Sequence, residues 1–188
     1  MPPKYKFQKD EIASAALALV RTEGIDALTA RAVAQRLNAS SKVIFGLFEN
    51  MEELHQAVLK KAYDLYIDFL HQDISKGNYP PYKSAGMAYI RFAIEEKTLF
   101  RLLFMCDRRE QAQPMVGPDF EMAVDMIQTA NGISKEQATL LHTEMWVCVH
   151  GIATMHATSF LTLEEQVISR ILTDTYMGLC HRHLSGEE

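Results

Sequence analysis

The 188-residue sequence predicts an all-α protein of nine helices. Apolar residues recur at three- and four-residue spacing along most of the chain. No segment sustains the alternation of a half-buried strand, and the periodic runs are punctuated by helix-capping residues. Ile12, Ala15, Ala16, Leu19 and Val20 form the first stripe, on a helix expected to stop at Gly24 in the left-handed conformation that glycine tolerates. Thr29 caps a second helix whose buried face is Ala30, Val33, Ala34 and Leu37. Asn38-Ala39-Ser40 makes a turn, after which Ser40 or Ser41 caps a short third helix ending near Phe48. Asn50 and Glu53 have the spacing of a capping box and open a long helix from Met51 to about Ile74, with Leu54, Val58, Ala62, Leu65 and Phe69 facing inward.

Three further helices are expected from about Tyr82 to Glu96, Thr98 to Met105 and Asp119 to Ala130. Gly77 and Pro80-Pro81 separate the first from what precedes it, and 108–118, with two prolines and a glycine, reads as a loop. Ser134 with Gln137 opens an eighth helix to about Ser159, and Thr162 with Glu165 opens a ninth to about His183. The eighth carries one apolar stripe through Leu141, Met145, Cys148, Ile152 and Met155, and a second through Trp146, Val149, Ala153, Ala157 and Phe160. The ninth continues the theme through Val167, Ile168, Ile171, Leu172, Tyr176 and Leu179. A helix apolar on two sides needs cover on both. A homodimer joined through a four-helix interface supplies that cover; one large monomeric core is the alternative.

Composition narrows the function. The start, MPPKYKFQKD, has no apolar run after its lysines, and the longest apolar run, Met145 to Met155, is broken by His150 and too short to span a bilayer. A cytoplasmic protein with no membrane partner is expected. Cys106, Cys148 and Cys180 share no CxxC spacing, which argues against zinc and structural disulfides. The net charge is -5, but residues 1–61 hold nine Lys/Arg against seven Asp/Glu, so a mildly basic head joins an acidic body. No GxGxxG, P-loop, HExxH or GxSxG pattern appears, and paired inward carboxylates at catalytic spacing are missing, so no cofactor, metal or enzymatic activity is expected. His142, His150 and His156 lie eight and six apart, which is no compact ligand set; His150 reads as a hydrogen-bonded core histidine and Glu144 as a salt-bridge residue. Arg108-Arg109 reads as part of a solvated loop.

Leu28 to Leu54, LTARAVAQRLNASSKVIFGLFENMEEL, is the most informative stretch. Two short helices set at an angle by a three-residue turn, with a long helix close behind, are the layout of a helix-turn-helix, which lays one exposed helix in the DNA major groove. Residues 6–66 resemble the DNA-binding domain of TetR/AcrR-type transcriptional regulators. The likeness rests on the spacing of Ile12, Ala16 and Gly24, then LTARAVAQRL, a turn ending in Ser, IFGLF and NMEEL. WVCVHGIA, from Trp146 to Ala153, is similar to a Trp…His-Gly segment of one branch of these regulators.

The resemblance implies a three-helix DNA-binding head over 6–66 and a ligand-binding and dimerisation domain over 67–188, with a two-helix dimerisation face. Thr29 and Arg31 then suit phosphates of double-stranded operator DNA, while Ser40, Ser41, Lys42 and Val43 reach base edges. Lys4, Tyr5 and Lys6 extend an arm toward the backbone. Phe45, Gly46 and Met51 replace the Tyr, the His or aromatic, and the Lys common in the family, each removing a backbone contact. Tyr63, Tyr66, Tyr89, Phe92, Phe100, Leu103, Phe104, Met122, Met126, Trp146 and His150 are the candidates to line a pocket for a small apolar or amphipathic effector. The leading expectation is a homodimeric, ligand-responsive repressor. The alternative is a small-molecule-binding helical protein that has lost specific DNA binding.

Overall fold

The computed structural model describes residues 7–106 and 118–185. Among them lie nine α-helices: α1 (Lys9–Glu23), α2 (Ala30–Arg36), α3 (Lys42–Phe45), α4 (Met51–Lys76), α5 (Pro81–Glu95), α6 (Lys97–Phe104), α7 (Pro118–Asn131), α8 (Lys135–Ala157) and α9 (Glu165–Ser185). The described residues contain no strand, so the all-α class holds. The arm residues Lys4, Tyr5 and Lys6 and the pair Arg108-Arg109 lie outside the described residues. The chain divides into two compact units, one holding residues up to 65 with 98–106, the other 66–97 with the described residues from 118 onward.

In the first unit α1 packs on α2, and α2 on α3. Ile12, Ala16 and Val20 of α1, Val33 of α2, Ile44 of α3, and Leu54 and Val58 of α4 are all fully buried. Ile44 is the one buried residue of a four-residue helix. So short a helix has almost no stability of its own, and burying one such side chain contributes about 1.5–3 kcal/mol. Packing therefore holds α3 in place. Two ion pairs, Lys9 with Glu53 and Lys61 with Asp10, tie α1 to α4 across the same core.

Several local expectations are corrected. Helix α1 does stop at Gly24, with positive φ (89°), but its ψ of 170° lies outside the left-handed helical region, in backbone space that only glycine enters readily, and the chain continues into a short 3-10 turn at Ile25–Ala27. Neither Ser40 nor Ser41 caps α3: Ser41 is already in the right-handed region and makes no capping bond, and the helix ends at Phe45, short of Phe48. The box at α4 is only half formed. Asn50 Oδ1 accepts from Glu53 N at 2.9 Å, while the Glu53 carboxylate turns to Glu49 N at 2.7 Å and to Lys9. The Ser134–Gln137 box closes in both directions, whereas α9 opens at Glu165, three residues after Thr162.

In the second unit α8 lies at the centre, packed by α5, α7 and α9. Its two apolar stripes are therefore both largely covered by the chain's own helices: Leu141, Met145 and Ile152 are buried, and so are Val149, Ala153 and Ala157. Ile168 and Leu172 of α9 are buried as well. Left bare are Leu140 and Val147 on α8, Leu161 beyond it and Met177 on α9, together with two residues of the expected stripes, Phe160 and Val167.

α8 ends in a Schellman turn. Phe160 N donates to Met155 O at 3.0 Å and Ser159 N to His156 O at 3.1 Å, around a left-handed Ser159 with φ of 57°. A residue with a Cβ pays for that conformation and glycine does not. Ser159→Gly is expected to raise stability by about 0.5–1 kcal/mol, read as a higher urea midpoint at unchanged slope, and Ser159→Val to lower it. Because Ser159 Oγ also accepts from Lys97 Nζ at 2.9 Å, the comparison is with Ser159→Ala, which loses the same bond; a glycine variant no more stable than that alanine variant would show that this turn holds no strain.

Candidate functional site

The first unit presents a polar face built on α2. Thr29 caps the helix by accepting from Ala32 N at 3.1 Å, which leaves its hydroxyl proton free to donate. At the other end the backbone turns left-handed at Asn38, with φ of 50°. Asn38 N donates to Gln35 O at 3.0 Å and Ala39 N to Ala34 O at 2.9 Å, a second Schellman closure. Arg31, Gln35 and Asn38 follow one another along the exposed side of α2 and its turn. With Ala34, Ala39 and Ser41 they line a shallow open groove of about 390 Å³.

Of the residues singled out from sequence, Thr29, Arg31, Ser40, Ser41, Lys42, Phe45 and Gly46 are exposed, and Val43 and Met51 are half-buried. The Phe45 ring is 52% exposed, unusual for an aromatic side chain. Gly46 sits at φ of -78°, where any residue fits, so its effect is simply the missing side chain. Charge pairing separates the cations. Lys9, Arg36, Lys60 and Lys61 each face a carboxylate. Arg31 and Lys42 form no ion pair among the described residues, and the hydroxyls of Ser40 and Ser41 accept or donate no hydrogen bond there.

The second unit gathers aromatic and histidine side chains. His142, Trp146 and His150 stand one turn apart along α8, a shared face that the pairwise histidine spacings concealed. Trp146 stacks on His150 with ring centroids 4.8 Å apart, and the Tyr89 hydroxyl meets His150 Nδ1 at 2.9 Å. Tyr66 contacts Tyr89 and Phe92 edge-on at 5.8 and 5.5 Å, and its hydroxyl donates to Asp119 Oδ2 at 3.4 Å. Further along, Tyr82 and His142 Nδ1 are 2.9 Å apart and Phe120 packs edge-on to the His142 ring at 4.6 Å. Burial pushes the Tyr82 hydroxyl well above the ordinary tyrosine range, so it stays a donor to the imidazole. Five of the expected pocket residues (Tyr66, Tyr89, Phe92, Trp146 and His150) thus meet here. Met122 and Met126 lie half-buried on α7 of the same unit. Tyr63, Phe100, Leu103 and Phe104 belong to the first unit, where Phe100 and Phe104 pack on each other at 5.3 Å.

Comparison with known proteins places this arrangement. Residues 12–58 match the model of bacterial regulatory proteins of the tetR family, and residues 82–174 match that of the tetracyclin repressor-like C-terminal domain. The chain belongs to the TetR family. It is thus a DNA-binding transcriptional regulator and not an enzyme. The fold is similar to that of a TetR-like transcriptional regulator from Rhodococcus sp. RHA1, at 13% identity over 100% of both chains with a TM-score of 0.63. It is also similar to the multidrug binding protein EbrR complexed with imidazole, at 17% identity over 89% of this chain and 88% of that one with a TM-score of 0.62. A TetR variant from Acinetobacter baumannii AYE in complex with minocycline aligns over 97% of each chain at 18% identity, with a TM-score of 0.53. No curated protein matches the sequence. Among the described residues no helix is long and apolar enough to cross a membrane.

Sequence reading of this TetR-family protein missed Gln35 and Asn38 beside Arg31, although spacings of four and three on one helix mark a shared face. It also missed His142 and Tyr82, whose contact depends on how α5 meets α8. Glu144 is the salt-bridge residue expected, bound by Arg182 and by His183 Nε2 at 2.8 Å. Burial opposes its ionisation, yet the hydrogen bonds from His183 and Arg182 hold its carboxyl below the usual range.

The regulator keeps its buried histidines neutral. Burial lowers His142 from 6.5 to about 4, against a smaller upward pull from Asp119, and lowers His150 and His156 in the same direction. Below pH 6.5 the unfolded chain takes up a proton at His142 that the folded chain refuses until about pH 4, so stability falls as pH falls through that window. Between pH 7 and pH 5 His142 alone is expected to cost about 2 kcal/mol, and His142→Gln to remove that share of the pH dependence in urea titrations. Equal pH dependence in parent and variant would contradict a neutral, buried His142.

Proposed function

We propose that this regulator binds a near-palindromic operator as a homodimer through residues 29–48, acts as a repressor, and releases DNA when a small effector binds. One observation carries the DNA side: Arg31 and Ser41, which line one open groove, and Ser40 and Lys42 next in sequence to Ser41 keep their polar groups uncommitted among the described residues, while other cations of the unit are paired. A free guanidinium and ammonium suit phosphates or guanine, and uncommitted hydroxyls suit either backbone or bases. Thr29 adds a donor at the start of α2. Val43 supplies an apolar contact for a thymine methyl. The DNA-binding domain in this reading covers 6–66, and 67–188 receives the effector and the second copy.

The effector is apolar or amphipathic. Support comes from the aromatic column of Tyr66, Tyr89, Phe92, Trp146 and His150, which mixes ring faces with a hydroxyl, an imidazole and the Asp119 carboxylate. Two structural neighbours at low identity hold small molecules, imidazole and minocycline. Such an effector needs only to bind one arrangement of the dimer better, and a coupling of about 1–3 kcal/mol changes operator affinity about 5–150-fold. α4, with residues in both compact units, is the continuous element through which that preference passes. Dimerisation uses the bare faces of α8 and α9. Leu140, Val147, Val167 and Met177 are exposed there, and a Cβ at Gly151 or Gly178 would meet nothing within 4 Å. Two heads joined this way would reach successive major grooves about 34–36 Å apart.

Footprinting on the DNA upstream of its own gene is expected to show a protected palindrome at low salt. The Arg31→Ala/Lys42→Ala double variant should lose that protection while its thermal unfolding stays at the parent midpoint. A parent protein that protects nothing points instead to a small-molecule-binding protein without specific DNA binding. Val147→Glu with Met177→Glu is expected to halve the mass in sedimentation equilibrium; an unchanged dimer would place the interface on another face.

A further inference from the structure

We infer that His156 is an acid-sensitive latch: its neutral imidazole holds the connection between α8 and α9 in place, and protonation lets that connection go. The consequence for the dimer rests on the α8–α9 reading above; the latch itself does not.

His142, His150 and His156 all lie on α8, and their contacts are not equivalent. His142 and His150 each meet a tyrosine hydroxyl at 2.9 Å. A hydroxyl can donate to a neutral imidazole or turn to accept from a protonated one, so both contacts survive a proton. His156 Nε2 instead accepts from the backbone N–H of Leu163 at 3.3 Å. A backbone N–H can only donate. Once Nε2 also carries a proton, two donors face each other and the bond is lost. Charge acts in the same direction. Burial and then the Lys97 ammonium hold His156 neutral, whereas Asp119 pulls His142 toward the charged form. Glu96 beside Lys97, and Glu164 and Glu165 beside Leu163, are the carboxylates next along the chain, and they do not offset that push.

Among the described residues, little else ties the connection down. Phe160 is 83% exposed, Leu161, Thr162 and Glu164 are exposed as well, and Leu163 is half-buried. Beyond the Schellman turn, its bonds to the rest of the unit are Lys97 Nζ to Ser159 Oγ at 2.9 Å, Leu161 N to Met155 O at 3.4 Å, and Leu163 N to His156. Leu163 directly precedes the first turn of α9, where Ile168 N donates to Glu164 O at 3.0 Å. The His156 bond therefore fixes where α9 starts against α8. Releasing it loosens the spacing of Val147 and Val167, two of the bare residues on which the dimer rests. A released His156 has the ordinary value of 6.5, and the latched one lies lower. Below pH 6.5 the open form takes up a proton that the latched form refuses, so the open population rises as pH falls. The rise is up to about tenfold per pH unit, until the latched value is reached.

The test follows hydrogen–deuterium exchange of the full chain by mass spectrometry from pH 7.5 to 5, with protection corrected for the intrinsic exchange rate. Peptides within 160–168 are expected to lose about tenfold in protection while peptides from the middle of α8 keep theirs. His156→Gln offers an amide oxygen to Leu163 N and takes up no proton, so its profile should be flat. In sedimentation equilibrium the parent dimer should weaken by about tenfold between pH 7 and pH 5, and the His156→Gln dimer should not. Unchanged protection of 160–168 in the parent would overturn the latch. So would an equal loss all along α8, which is global unfolding, or an acid response kept in His156→Gln. If that variant does not fold, the parent's histidine titration by NMR decides: protonation of His156 must coincide with the loss of protection, and a mismatch overturns the latch. A parent that is monomeric at pH 7 fails the dimer reading, while the exchange profile still judges the latch.

Discussion

At Asn38 the backbone passes through φ of 50°, and the two hydrogen bonds that close around it decide how α3 leaves α2. Asparagine is among the few residues other than glycine that visit this region at low cost. Everything the first unit offers to DNA depends on that turn. It sets Ser41 across from Arg31 and Gln35, so that one groove forms between them. It also delivers Ile44 to the core, and with no helix propensity to speak of in four residues, that burial is what fixes the exposed Lys42 and Phe45.

Electrostatics then acts by subtraction. The head holds only a small excess of positive charge, and much of it is spent internally: Lys9 on Glu53, Lys61 on Asp10, Lys60 on Asp64. Exposed pairs of this kind contribute little stability, but they leave the surface field to a few groups. Arg31, which lines the groove, and Lys42 form no ion pair among the described residues. A regulator whose far field is weak steers DNA poorly over distance and relies on short-range hydrogen bonds once in contact.

The second unit is organised around α8. Because α5, α7 and α9 all pack on it, its polar residues must either pair inside or stay uncharged. Glu144 pairs, tied to Arg182 and His183 of α9. His142 and His150 stay neutral beside Tyr82 and Tyr89, an arrangement repeated two turns apart with Trp146 between. The same crowding that largely covers both apolar stripes leaves Val147, Leu140, Val167 and Met177 bare, the positions on which the proposed dimer rests.

The sequence by itself determined the helix-turn-helix and the family, because both are written in local terms. Periodicity, the Thr29 cap, the Ser134–Gln137 box and the run from Leu28 to Leu54 need no distant partner to be read. It also singled out Arg31 and Lys42, which the structure leaves exposed and without an ion pair among the described residues. It misread the ends where two local solutions compete. Glu53 could reach Asn50 or Glu49 with Lys9, and a lysine 44 residues away decided it. It expected the chain's own core to cover one stripe of α8 and a second chain the other, whereas α5, α7 and α9 all pack on α8 and largely cover both. Only tertiary structure brought Gln35 and Asn38 to a groove with Ser41 and set Tyr82 against His142. A hydrophobic period states that a residue is buried. Which partner buries it is settled by packing between segments far apart in the chain, and no local pattern encodes that choice.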